Sequence, residues 1–182
     1  MPFPDKHTFM TALLAREDRR NPEFAALVAS MLAALAVWFP RTTYTMLKTQ
    51  ARRASLSDAG AVGAASTSAA AAAILVAEWS RPAVFAAKCR DLALVARGPR
   101  WVLRQAKTFE HAMTSFLLAV TSESLGDSVT SRLLMAETVG IVKETERADR
   151  AVALPTSAIP RPHYNNDQVR RRIFWAVVRH TR

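Results

Sequence analysis

The sequence predicts an all-α chain: a two-helix transmembrane hairpin, additional amphipathic peripheral helices and an extended C-terminal tail. Three observations lead there. Half of the 182 residues are hydrophobic while only 8% are aromatic and five are glycine, and the abundant alanine, leucine, arginine and glutamate are good helix formers. Two long stretches, residues 24–39 and 59–77, carry no charge. Between Val102 and Val120 apolar residues recur at steps of four and three, the period of one helix face. The chain divides into an amphipathic segment (1–22), the hairpin (23–80), a basic amphipathic helical region (81–150) and a Pro-rich connector with a basic-aromatic tail (151–182).

The first segment predicts a short helix from about Thr8 to Arg16, with Phe9, Met10, Leu13 and Leu14 on one side. Acidic residues among the basic ones and a short apolar run make it neither a secretory signal nor a typical mitochondrial presequence. Asn21-Pro22 is a helix start signal. The helix that follows, residues 24–39, would run roughly 24 Å, marginal for a bilayer crossing. Trp38, Phe39 and Tyr44 cluster where it meets Pro40-Arg41, which fits an interfacial aromatic belt or, equally, core filling.

Residues 41–58, with Arg41, Lys48, Arg52 and Arg53, read as a polar connector between two antiparallel helices. The second run, 59–77, would reach roughly 28 Å, close to the ~30 Å hydrocarbon core. Its apolarity is mostly alanine. Gly60, Ala64, Ser68 and Ala72 form a small-xxx-small strip that lets a neighbouring backbone approach closely. The plainer alternative is a buried alanine-rich helix in a soluble bundle. Trp79 marks the exit. Basic residues outside the loop outnumber those within it, which places both termini on the cytoplasmic or matrix side.

From about Pro99 to about Ser124 the pattern predicts one helix, with Val102, Ala106, Phe109, Met113, Phe116 and Val120 on its apolar face. Arg100, Arg104, Lys107 and His111 stand opposite, beside Arg97. A basic amphipathic helix of this kind suits an anionic lipid surface, a protein partner or RNA phosphates; an ordinary solvated face is the plainer reading. Asp127 or Ser128 caps a further helix, about Val129 to Arg147. Three prolines in 153–162 suit an extended connector. The tail carries Arg170, Arg171 and Arg172 before Ile173, Phe174 and Trp175, an expected lipid or partner contact.

The chain carries no familiar catalytic constellation. Its four histidines are far apart in sequence, and the glycines at 60, 63, 98, 126 and 140 form no phosphate loop. Cys89 excludes an internal disulfide by standing alone. Its neighbours Lys88 and Arg90 favour a lowered thiol pKa, although a cysteine on such a helix is usually inert. Glu110 and His111 are adjacent, but neighbouring helical residues project apart and form no ready acid–base pair. No catalytic residue, cofactor or metal is expected.

The net charge of +10 and pI near 11.0 point to an anionic partner surface. The expectation is a non-catalytic accessory subunit of a large hetero-oligomeric membrane complex. A mitochondrial inner-membrane respiratory or ATP synthase complex comes first, with anionic phospholipid, cardiolipin above all, as a further partner. A bacterial inner membrane is the alternative location. The alternative function is a basic RNA-binding structural subunit, such as a mitochondrial ribosomal protein, and only that reading involves nucleic acid.

Overall fold

The computed structural model describes residues 6–58, 81–98, 101 and 108–152, and every regular element among them is helical. Six α-helices follow in order: α1 Lys6–Leu14, α2 Pro22–Trp38, α3 Pro40–Asp58, α4 Pro82–Arg97, α5 Phe109–Ser124 and α6 Ser128–Val152. A 3-10 turn, Glu17–Arg19, joins α1 to α2. The expected all-α class holds for these residues. The second apolar run with its Gly60, Ala64, Ser68 and Ala72 strip, and the tail 153–182, lie outside the described residues.

Local chemistry sets the helix ends. The Asn21 side chain accepts the Glu23 N–H at 3.0 Å and the Phe24 N–H at 3.4 Å. Pro22 follows at the first helical position, where its missing N–H would have had no helical partner. Phe39 leaves helical geometry at φ −127 and ψ 59, and Pro40 restarts the helix at once. Asp127 caps α6 by accepting the Thr130 N–H at 3.1 Å. That helix continues five residues beyond the expected Arg147, through a charged stretch rich in helix formers.

Two expectations need correction. Residues 41–58 are not a polar connector but the body of α3, which leaves α2 at 114°. Polarity alone signalled a loop, yet no glycine or proline interrupts the segment after Pro40. Thr45 and Thr49 turn their hydroxyls back onto the carbonyls of Arg41 and Thr45. Nor does one helix run from Pro99 to Ser124. Trp101 lies in a turn, and Thr108 is extended at φ −98 and ψ 168 before α5 starts at Phe109. The apolar spacing keeps its phase across this break, so periodicity could not reveal it.

The core is built on α5. Residues 111–119 are all buried, as are Thr121 and Ser122. A helix apolar or small on every side belongs inside a bundle. It packs on α6 through Met113, Phe116 and Leu117 with Leu134, Met135, Ile141 and Val142 of the same core cluster. On its other side lies α2, which also packs extensively on α4. Small residues dominate that second contact: Ala26, Ser30, Ala33, Ala34 and Ala36 are buried on α2, and Ala86, Cys89 and Ala93 on α4. Small side chains let two helix axes come close. The buried hydroxyls close on their own helices, Ser30 on Leu27 O at 2.8 Å and Thr121 on Leu117 O at 2.8 Å.

The first expected span is therefore a helix, but six of its residues are buried within the protein. Among the described residues no single helix is long and apolar enough to cross a membrane. The pair formed by Pro22–Trp38 and Pro40–Gln50 qualifies by length and composition alone, with its sharp bend at the break.

Candidate functional site

Two places stand out as candidates, a polar cluster between helices and the outer surface. The first is a half-buried cluster where α2, α4, α5 and α6 meet. His111, expected on a basic outer face, is only 3% exposed. Its Nδ1 accepts the Thr108 backbone N–H at 2.7 Å, so the proton sits on Nε2, which faces Glu23 Oε2 at 3.0 Å. With both ring nitrogens engaged, the imidazole is held as a structural link and is poorly placed to relay a proton. Its carboxylate comes from α2, 88 residues away, and not from neighbouring Glu110. Sequence reasoning missed this pair because nothing local joins its members.

The Trp101 ring stands edge-on to His111, with centroids 4.6 Å apart. Its indole N–H donates to Glu137 of α6, which also accepts Arg97 Nη2 at 2.6 Å. The Arg97 guanidinium lies 3.9 Å from the centre of the same indole ring. Burial lowers the Arg97 pKa from its ordinary value, and the Glu137 carboxylate opposes that shift. Arg97 was expected at a lipid or partner surface. Its side chain is 6% exposed and already paired inside the protein, with Glu137 of α6. Arg100, Arg104, Lys107, Arg170, Arg171, Arg172 and Trp175 lie outside the described residues.

Cys89 is buried on the inner face of α4. Burial pushes its thiol up to about 11, against the direction that flanking Lys88 and Arg90 favoured. A neutral buried thiol is a poor nucleophile. Among the described residues, no three His, Cys, Asp or Glu side chains converge as metal ligands. An open groove of about 580 Å³ runs between α5 and α6, lined by Val120, Ser124, Ser128, Ser131, Met135 and Val139 among others.

The second place is the outer surface. On α4, Leu92 and Val95 are 54% and 77% exposed, and on α6 Val129 and Leu133 are 63% and 69% exposed. Each pair is spaced at three or four residues and forms an apolar row facing outward. On α3, Arg41, Lys48, Arg52 and Arg53 are all exposed. Compared with known families, characterised proteins and solved structures, the chain matches none.

Proposed function

We propose that the chain is a non-catalytic accessory subunit of a multi-subunit membrane complex, contributing to assembly, stability and lipid contact. The mitochondrial inner membrane, with its respiratory and ATP synthase complexes, fits best, because its anionic lipid complements the +10 charge. The observation that carries this reading is the pair of outward apolar rows, Leu92 with Val95 and Val129 with Leu133, exposed among the described residues. Single apolar side chains on a surface are ordinary, whereas contiguous apolar patches mark contact with other chains or lipid. The aromatic and apolar side chains at the α2–α3 bend, Phe39, Tyr44 and Met46, are exposed in the same way.

Alkaline carbonate extraction of native membranes, followed by sizing in mild detergent, tests the proposal. The expected result is retention in the membrane pellet and migration well above the 20.0 kDa of the free chain. Complete release by carbonate as a free chain refutes it. Release together with RNA moves the assignment to the RNA-binding subunit.

A further inference from the structure

We infer that the outer face of α3 is a docking surface for the anionic headgroups of a phospholipid bilayer; this rests on the membrane-subunit reading and names the element that meets the lipid. Charge is the first argument. Among the described residues sixteen lysines and arginines stand against twelve acids, and α3 holds four of the former with one of the latter, Asp58 at its last position. The remainder of the described bundle is thus nearly balanced, and its positive excess sits on one helix. Arg41, Lys48 and Arg52, at steps of seven and four, share one strip of that helix. With ~1.5 Å rise per residue they form a straight row with gaps of about 10 Å and about 6 Å.

Geometry is the second argument. The bend at Phe39-Pro40 turns α3 by 114° from the path of α2. It contacts the rest of the protein only lightly, along α2 and α4. None of its described side chains is buried, and Thr43 and Leu47, one turn apart, are the partly covered ones. The basic strip lies well round the helix from that side, where a flat charged surface can reach it along its whole length.

The same helix is poorly equipped for nucleic acid. Single strands are held by aromatic platforms on which bases stack. α3 offers only Tyr44, and Lys48 already lies 5.9 Å from the centre of that ring. A bilayer asks only for a row of cations with apolar groups nearby, and Phe39 and Met46 are 49% and 62% exposed.

Flotation of the full chain with phosphatidylcholine vesicles, with and without phosphatidylglycerol, tests the assignment. The Arg41→Gln/Lys48→Gln/Arg52→Gln variant should lose on the order of 100-fold in partition onto the anionic vesicles, since each charge near such a surface contributes about fivefold. Its helicity by circular dichroism should stay unchanged, because these side chains are exposed. An Arg170→Gln/Arg171→Gln/Arg172→Gln variant should lose less. Unchanged partition of the α3 variant, a loss confined to the tail variant, or equal binding of the wild type to neutral vesicles overturns the inference. Salt-sensitive binding to RNA without binding to vesicles overturns it as well. Carbonate extraction of native membranes judges the subunit reading separately, because a chain held by a spanning segment stays in the pellet even when α3 has no role.

Discussion

The thiol of Cys89 lies on the inner face of α4, between Ala86 and Ala93 and toward α2. Its raised pKa has a definite consequence for stability. A thiol with an ordinary value of 9.0 and a folded value of about 11 stays protonated in the folded state while the unfolded chain ionises. The folded state is therefore favoured in full below pH 9 and loses that advantage as pH climbs toward 11. We expect the urea midpoint to fall over this window, and the fall to be smaller in Cys89→Ala. Iodoacetamide should modify the native thiol slowly at neutral pH and the urea-unfolded thiol quickly. Rapid modification of the native protein would mean that the α2–α4 contact opens readily. The sequence exposed only half of this chemistry. Lys88 and Arg90 could be read beside the cysteine, but which way the side chain points depends on α2, more than fifty residues earlier. The same holds for His111, whose Glu23 partner no local pattern could supply.

At the scale of the element, the α2–α4 contact shows what alanine does in this chain. Small residues were expected to pack helices together, and the expected place was the strip from Gly60 to Ala72. The described residues show the device between α2 and α4, where Ala34 and Ala93 are fully buried. Ala93→Leu inserts three carbons where the backbones are close, so it should cost about 1–3 kcal/mol in chemical denaturation. The same change at Ala83, exposed in the first turn of α4, should stay within about 0.5 kcal/mol. Equal effects at the two positions would mean that α4 is held by its ion pairs, Arg97 with Glu137 and Arg90 with Asp127 at 3.4 Å, and not by this seam. Helix type was legible for α1, α2 and α6 because composition and period are local properties. Helix ends were legible where a cap is spelled in the residues, as at Asn21-Pro22 and Asp127. The start of α5 escaped, because its cap uses His111 in place of the usual acidic or amide residue of a capping box. The polar α3 escaped because its overall polarity resembles that of a connector, although no glycine or proline breaks it after Pro40.

Taken whole, the molecule distributes its stability unevenly. Residues 111–119 of α5 are enclosed by α2 and α6, whereas none of the described α3 side chains is buried. Amide protons exchange through the cheapest opening available, and a helix with few buried contacts opens without disturbing the core. In native-state hydrogen exchange, the amides of residues 112–119 should therefore be among the slowest, approaching exchange by global unfolding. Those of residues 44–53 should exchange far sooner, and their rates should respond weakly to urea, because local opening exposes little new surface. The Glu23–His111 link ties α2 to α5, so the break in protection should fall near Phe39-Pro40, where the helix path bends. Protection of α3 as slow as that of α5 would show that α2 and α3 open as one unit despite the bend. If α3 also meets a lipid surface, anionic vesicles should slow its exchange selectively and leave residues 112–119 unchanged, since a ligand stabilises only the openings that disrupt its own contacts. A uniform slowing across the bundle would instead place the contact on the core helices, where the apolar rows of α4 and α6 face outward.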